Sequence, residues 1–310
     1  MKKLINKKNN KNIYTNTNIY TSKNILNYFI IIFIIIILFY IIYKYIINNY
    51  DNFENNDSKI SNKIAISLGI LSYNAPDTLH QTLKTYKDSG LLDISNDVFA
   101  ILQKSDKQDE EAKVCEKYTI RYIKMPDNGK MASGFKAIYD NAQNEIIVFL
   151  ENDFANYSTK QESINFFNNS IYFIKEQNMD LIRARSRKNA GEPNIGKQLF
   201  SHIPHNEFVN HTHLADCIYW IEHPELLYPS KIQKIKPFIG NDDWYTSSSK
   251  SCNWTNNALV TSKKFFKEAV LPHLFKSDDI EASFTSIWAQ QDYKCVFGPG
   301  LFTHERLDGH

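Results

Sequence analysis

The stretch Glu145-Ile-Ile-Val-Phe-Leu-Glu-Asn-Asp-Phe154 decides the fold. It is a short apolar run without helical periodicity, which is typical of a buried strand in a parallel sheet. The run ends in two carboxylates one residue apart, Glu151 and Asp153. Ligands bind at the carboxyl ends of strands in open α/β sheets, and carboxylates without a basic neighbour suit a hard divalent cation such as Mg²⁺ or Mn²⁺. A strand followed by an ordinary polar turn is the alternative.

Strand and helix patterns alternate on either side of this stretch. Segments 64–71, 98–102 and 119–124 have strand patterns, and Pro76 begins a helical pattern that Gly90 closes. Helices are also predicted over 109–117, 131–142, 159–177, 263–269 and 280–290, and strands over 180–184, 258–260 and 295–297. The alternation predicts an α/β fold with a mainly parallel sheet and helices on both faces.

The N-terminal region predicts a membrane anchor. Residues 24–43 contain no charged side chain and form an apolar run long enough to cross a bilayer as a helix. Lysines precede the run without any acid, whereas three acids follow it within 51–57. This asymmetry puts the N-terminus in the cytosol and the remainder across the membrane. A cleaved signal peptide is the alternative, but the run is long and lacks a small-residue cleavage site.

These patterns divide the chain into a basic cytosolic tail (1–23), a transmembrane signal anchor (24–47), a polar, Asn-rich stem (48–62) and a globular domain (63–310). The predicted product is a single-pass type II membrane protein with a Golgi- or ER-like lumenal domain. The reverse topology would place the domain on the cytosolic side or on a viral membrane. The formal charge of +2 gives no indication of a nucleic-acid partner.

The cysteines match neither a zinc pattern nor a C-x-x-C pair; they are Cys115, Cys217, Cys252 and Cys295. In a lumenal domain, Cys217 and Cys252 are the pair expected to form a disulfide, and four buried free thiols are the alternative. N-glycosylation sequons favour a lumenal glycoprotein; they begin at Asn56, Asn156, Asn168, Asn210 and Asn253.

Three segments form an ordered set. Residues 64–77 contain a strand and the turn Ser72-Tyr73-Asn74, residues 127–134 contain an N-x-G loop, and Glu151-Asn152-Asp153 has the form of a D-x-D motif. Together they resemble the nucleotide-binding half of GT-A glycosyltransferases, particularly the family 2 group, and the similarity extends loosely to residue 304. The resemblance implies a nucleotide-binding half (63–155) and an acceptor-binding half (156–310).

The resemblance also implies an activity. The expected enzyme is a hexosyltransferase that moves a sugar from a nucleotide-sugar donor to a glycan, glycoprotein or glycolipid acceptor. It would require Mn²⁺ or Mg²⁺ and would invert the configuration of the transferred sugar. Inversion needs one general base to deprotonate the acceptor hydroxyl.

The resemblance assigns the metal site and the base. Asp153 is the metal ligand, and the longer Glu151 reaches the metal, the ribose or a metal-bound water. His304 takes the place of the family's late metal-binding histidine, and an imidazole beside a carboxylate suits Mn²⁺ better than Mg²⁺. Glu281 takes the place of the catalytic base at a helix start, and Asp279 takes that role if the register shifts. A surface histidine and simple helix capping are the alternatives.

The donor is expected at the ends of the first two strands. Ser72 and Tyr73 offer backbone groups and an aromatic ring to a nucleobase. Gln103 ends the second strand, where the family commonly has an aspartate that reads the base. Asn152 lies between the two acids and is expected to contact the substrate. Lys130 is predicted to approach the diphosphate, and a solvated loop lysine is the alternative.

Acceptor binding is predicted in the second half. Residues 186–251 are irregular and rich in His, Pro, Trp and Tyr, which is typical of a binding surface or lid. Trp244 and Trp254 lie in loops with Asn and Asp, where aromatic rings pack on sugar faces; core tryptophans are the alternative. A basic cluster suits phosphate or a solvated strand edge; it consists of Arg183, Arg185, Arg187 and Lys188.

Two other functions remain open at this point. A sugar-phosphate nucleotidyltransferase shares the α/β layout and the metal requirement, but it would need a Gly-rich basic loop after the first strand, which residues 72–76 lack. A membrane-anchored scaffold would keep a glycosyltransferase-like fold without turnover. The acids at 151, 153 and 281 favour an enzyme.

Overall fold

The structure is a computed structural model that describes residues 27, 31–44, 63–192, 201, 203–218, 220–276 and 280–307. The chain divides into two compact units, Met1–Asn62 and Lys63–His310. In the first unit, residues 31–44 are helical with exposed side chains. Among the residues just given, no helix combines the length and apolar character needed to span a membrane. The predicted tail and stem lie outside the described residues, as do residues 24–26, 28–30 and 45–47 of the predicted anchor.

A mixed sheet forms the centre of the second unit. Its strands are β1 (Ile64–Ser72), β2 (Ser95–Leu102), β3 (Arg121–Lys124), β4 (Ile146–Glu151), β5 (Phe154–Asn156), β6 (Leu181–Arg185), β7 (Gly191–Glu192), β8 (Gln233–Ile235), β9 (Trp244–Ser248), β10 (Leu259–Ser262) and β11 (Lys294–Glu305). The strand order is β3-β2-β1-β4-β10-β6-β11-β9-β8, and β5 and β7 also pair with β11. The first four strands in this order are parallel, whereas β10 is antiparallel to both its neighbours.

Helices connect and cover the strands. They are α1 (Pro76–Asp88), α2 (Leu91–Ile94), α3 (Gln108–Lys117), α4 (Lys130–Asn141), α5 (Lys160–Glu176), α6 (His205–Phe208), α7 (Leu214–Ile218), α8 (Pro224–Leu227), α9 (Lys263–Phe265) and α10 (Ile280–Ala289). A π-helical turn (Phe266–Val270) and a 3₁₀ turn (Leu271–His273) follow α9. Local signals explain the helix starts: Pro76 opens α1, and Thr159 and Glu162 form a reciprocal capping box at α5.

Side chains of the strands alternate between two hydrophobic cores, one on each face of the sheet. In β4, Ile147 and Phe149 belong to one core, and Ile146, Val148 and Leu150 belong to the other. Buried residues of α4 and α10 complete the first core. Buried residues of α1, α3 and α5 complete the second. β4 is therefore covered on both sides, which explains its unbroken apolar sequence.

The predicted α/β class, mainly parallel sheet and helices on both faces are confirmed, with antiparallel pairs at β5, β8, β9 and β10. The final strand is longer than the predicted 295–297 because β11 continues through Gly298-Pro299-Gly300 to Glu305. The segment 186–251, predicted to be irregular, contains β7, β8 and β9 and the short helices α6, α7 and α8 among its described residues.

Candidate active site

Strand pairing brings Asp153 and His304 together. β4 ends at Glu151, the chain turns through Asn152 and Asp153, and β5 then pairs with the end of β11 in antiparallel register. Phe154 lies opposite His304, and the Glu305 amide donates to the Asp153 carbonyl oxygen at 2.7 Å. The two side chains thus meet at the carboxyl end of β4, where ligands bind in open α/β sheets.

The contacts of His304 prepare one of its ring nitrogens for a ligand. Nδ1 lies 2.7 Å from the Glu192 carbonyl oxygen, so this nitrogen carries a proton. Nε2 lies 3.1 Å from Asp153 Oδ2, and Arg306 Nε lies 3.8 Å from the same oxygen. Asp153 is 2% exposed, and its Oδ1 has no hydrogen-bond partner among the described residues. A histidine that donates one N–H to a carbonyl and turns the other nitrogen to a carboxylate is a common arrangement of metal ligands.

Glu151 and Glu281 belong to the same electrostatic neighbourhood. Burial, followed by the carboxylates of Asp153 and Glu281, raises the pKa of Glu151 to about 8, and Arg306 opposes this rise. Glu281 is exposed in the first turn of α10, and its Oε1 accepts the backbone N–H of Asn256.

Asp153 contacts His304, and the charges of Asp153 and Glu281 both act on Glu151. Asp279, the other candidate base, lies outside the described residues. In the part of the chain that the structure describes, no group of three or more His, Cys, Asp or Glu side chains is arranged to hold a metal ion.

Helix α1 supports the turn that carries the acids. Thr82 Oγ1 donates to the Asn152 carbonyl oxygen at 2.7 Å, and Tyr86 Oη donates to that of Phe154 at 2.7 Å. The Asn156 amide donates to Thr85 Oγ1 at 3.0 Å. The roles of these three residues could not be predicted from the sequence, because their helical spacing indicates only a buried face. An unusual run of hydroxyl-bearing residues on that face was the available signal.

The donor-side candidates divide into buried and exposed residues. Ser72 and Gln103 are 1% and 4% exposed, and the Ser72 hydroxyl donates to Glu111 at 2.6 Å. Burial withholds the Ser72 side chain from a ligand, so the predicted contact of this residue with a nucleobase would come from its backbone groups. Tyr73, in contrast, is 49% exposed at the end of β1, and Lys130 is exposed at the start of α4. The Asn152 side chain is buried.

The two tryptophans belong to the core, which corrects the predicted acceptor contact. Both are fully buried. The Trp244 ring stacks on Phe166 at 5.4 Å, and the Trp254 ring packs edge-on against Trp288 at 5.3 Å. Burial of a large aromatic surface is strongly favourable, so each ring fixes its segment against the sheet.

The basic cluster holds backbone segments. Arg183 is buried, donates to the carbonyl oxygens of Asn253 and Thr255, and lies 3.2 Å from Asp216 Oδ1. Arg185 donates to the Ala190 carbonyl oxygen at 2.7 Å. These two arginines are structural, which corrects the suggested phosphate contact.

The cysteines are all buried free thiols, so the suggested disulfide between Cys217 and Cys252 is absent. The alternative of four buried thiols holds. The Cys252 thiol instead lies 4.0 Å from Asp216 Oδ1.

Comparisons with known proteins identify the class. Residues 67–186 match the family described as Glycosyl transferase family 2. No curated protein matches the chain significantly. The match covers less than half of the chain. Through this region, the predicted resemblance to family 2 glycosyltransferases and the predicted class of enzyme are confirmed. The matched region includes the turn after β1, the end of β2 and the acids after β4.

Solved structures with a weak likeness include two glycosyltransferases. Glucosyl-3-phosphoglycerate synthase from Mycobacterium tuberculosis, in complex with Mn²⁺, UDP-glucose and phosphoglyceric acid, has 11% identity and a TM-score of 0.43 over 78% of this chain and 72% of that chain. A mannosyltransferase from Pyrobaculum calidifontis, in complex with GDP-Man and Mn²⁺, has 11% identity and a TM-score of 0.33 over 40% of this chain and 36% of that chain. Such low similarity says nothing of the donor, metal or acceptor of this chain.

Proposed function

We propose that this glycosyltransferase uses a nucleotide-sugar donor and a divalent cation, and that it transfers the sugar with inversion to a hydroxyl of a glycan, glycoprotein or glycolipid. The observation that carries the proposal is the pairing of Asp153 with His304 at the carboxyl end of β4. Asp153 lies within the residues that match the family 2 model, and His304 reaches it from β11.

The residues fit a cation such as Mn²⁺. Asp153 supplies a buried carboxylate with one oxygen lacking a hydrogen-bond partner among the described residues, and His304 supplies Nε2 beside the other oxygen. Oxygen and imidazole nitrogen together suit Mn²⁺. The donor diphosphate and water would complete the ligand set. Bound there, the cation would stabilise the negative charge on the leaving diphosphate.

Glu281 is the proposed general base. It is exposed in the first turn of α10, so an acceptor hydroxyl can approach it. The Asn256 amide orients one of its oxygens. A single exposed carboxylate that removes the acceptor proton suits direct displacement, and hence inversion.

The test is a transfer and hydrolysis assay of the purified full chain. Release of nucleoside diphosphate would be measured over a panel of nucleotide sugars with Mn²⁺, Mg²⁺ or a chelator. We expect turnover with at least one donor, and its loss on chelation. Chelator-resistant turnover would contradict the metal requirement. A parent chain that binds a donor but transfers sugar to no acceptor would favour the alternative function, a membrane-anchored scaffold without turnover.

Glu281→Gln tests the base. The substitution keeps the side-chain shape but removes proton acceptance, so transfer should fall ~10²–10⁴-fold while donor affinity stays close to that of the parent. Glu162→Gln is a matched control, because Glu162 is also an acid in the first turn of a helix. Equal transfer rates in the parent and Glu281→Gln would move the base elsewhere, for example to Asp279.

We also propose that residues 24–47 anchor the chain as a type II membrane protein. The support is the uncharged apolar run of 24–43 and the lysines before it.

A further inference from the structure

A buried carboxyl group lies beneath the turn at the end of β1. Glu111, on α3, is completely buried. Its Oε1 accepts the Ser72 hydroxyl at 2.6 Å and the Ala75 amide at 3.1 Å. Residues 72–75 form the turn between β1 and α1, so one oxygen of Glu111 holds both ends of this turn.

This carboxyl group has no ion-pair partner in the described part of the chain. Burial raises the pKa of Glu111. Hydrogen bonds from the Ser72 hydroxyl and from the backbone N–H groups of Ala75 and Asn74, together with the charge of Lys107, only partly offset the rise. Its Oε2 is buried and has no hydrogen-bond partner among the described residues. A buried carboxyl group with so few partners costs free energy. A purely structural position would be filled at lower cost by an apolar residue.

The turn above Glu111 is constrained and presents an exposed aromatic ring. Asn74 has a φ of 55°, in the left-handed region that asparagine adopts more readily than other non-glycine residues, so the turn can reverse the chain here. Tyr73 beside it is 49% exposed, and the backbone N–H of Gln103 donates to the Ser72 carbonyl oxygen at 2.9 Å. The contacts of Glu111 therefore fix the direction in which Tyr73 and the backbone of the turn face the donor-side edge of the sheet.

We propose that Glu111 is a positioning residue for donor binding, because its carboxyl oxygen holds the Ser72–Ala75 turn in the conformation that contacts the nucleoside. This inference rests on the proposed function. It adds a residue that never touches the donor but sets the affinity for it. The acceptor side of the site, including Glu281, does not depend on Glu111.

Two substitutions separate reach from charge. Glu111→Asp keeps the charge but withdraws the carboxylate by one methylene, whereas Glu111→Gln keeps an acceptor oxygen at the same reach. Calorimetry of the purified full chain with UDP, GDP and ADP in the presence of Mn²⁺ would give the Kd. We expect Glu111→Asp to raise the Kd of the preferred nucleotide about tenfold. Glu111→Gln should stay within about twofold of the parent, and kcat at saturating donor should stay near the parent value in both.

Asp97 provides a matched control. It is also a buried acid that accepts a serine hydroxyl, that of Ser67 at 2.6 Å, but it lies at the opposite, amino-terminal edge of β1 and β2. Asp97→Ala should destabilise the domain without changing the Kd. Equal Kd values for the parent and Glu111→Asp would overturn the proposal, and so would an equal rise of Kd in Asp97→Ala.

Ser72→Ala serves if Glu111→Asp does not fold. The Ser72 side chain is buried, and this substitution removes its hydroxyl and hence the same hydrogen bond to Glu111. The Kd of the preferred nucleotide should therefore also rise. An unchanged Kd would overturn the inference. A parent chain that binds none of the three nucleotides would refute the proposed function itself, which is a distinct result.

Discussion

His304 shows how one residue acquires a role that its sequence neighbours do not indicate. The Glu192 carbonyl oxygen holds the proton on Nδ1, and the fold turns Nε2 to within 3.1 Å of Asp153. In the absence of a cation, a proton on Nε2 would make this contact an ion pair. Under the proposed function, the same two atoms would be ligands of the cation. The local sequence Thr303-His304-Glu305 does not distinguish these roles from that of a surface histidine.

The first prediction concerns Asp153. Asp153→Asn preserves shape but removes the charge that a hard cation requires, so turnover should fall on the order of 10²-fold or more. Mn²⁺ binding, measured by calorimetry on the full chain, should weaken in parallel. Asp180→Asn is the control, since Asp180 is a half-buried acid directly before the amino-terminal end of β6, whereas Asp153 lies beyond the carboxyl end of β4. A mutant that binds Mn²⁺ as well as the parent would rule out Asp153 as a ligand.

At the scale of elements, the three-residue strand β5 determines the geometry of the site. It starts directly after Asp153 and pairs with β11, and this brings together residues about 150 positions apart in the sequence. On the other side of β11, β7 pairs with His304 through Gly191 and supplies the Glu192 carbonyl oxygen that orients the ring. The metal side of the site therefore depends on the close approach of β5, β11 and β7.

The second prediction tests this approach at Gly191. Its φ is +71°, and a Cβ there would lie 2.0 Å from the His304 carbonyl oxygen. Gly240 has a comparable φ of +81° but nothing within 4 Å of its Cβ position. Gly240→Ala should cost about 1–2 kcal/mol in the free energy of unfolding, from the backbone conformation alone. Gly191→Ala should cost at least about 1–3 kcal/mol more, because β7 must move away from β11.

Chemical denaturation of both variants would give the difference in stability, and calorimetry would give their affinity for Mn²⁺. Only Gly191→Ala should lose affinity for Mn²⁺. The reason is that β7, which this substitution displaces, carries the Glu192 carbonyl oxygen that contacts His304. Equal effects of the two substitutions on stability and affinity would show that β7 does not orient the ring.

At the scale of the whole molecule, the sheet separates two cores and leaves its carboxyl edge for chemistry. The family 2 match covers the first half of the second unit, whereas Glu281 and His304 come from the second half. The candidate site therefore needs both halves of the unit Lys63–His310. Arg183 and the buried tryptophans stabilise the second half, where the sequence analysis expected ligand contacts.

The third prediction concerns the proposed anchor. The run of 24–43 matches the thickness of a hydrocarbon core, so the full chain should sediment with membranes and resist extraction by alkaline carbonate. Protease added to sealed vesicles should spare everything beyond residue 48. A chain that lacks residues 1–62 should appear in the soluble fraction. Digestion of the domain in intact vesicles would reverse the topology, and extraction of the full chain by carbonate would refute the anchor.

The sequence by itself determined the class of fold, because buried parallel strands such as β4 need continuous apolar residues and helices need a period near 3.6, and both patterns are local. It also indicated Asp153 as a residue at the end of a strand. Only the tertiary structure decided which side chains are buried, since burial depends on segments that are distant in the chain. Trp244 and Ser72 show this: both have residue types that suit ligand contact, and packing withholds both side chains from it. Glu111 shows the converse, a charged residue that packing buries. Its sequence neighbours are charged and predict an exposed helix, and only the packing of α3 beneath the turn after β1 buries it.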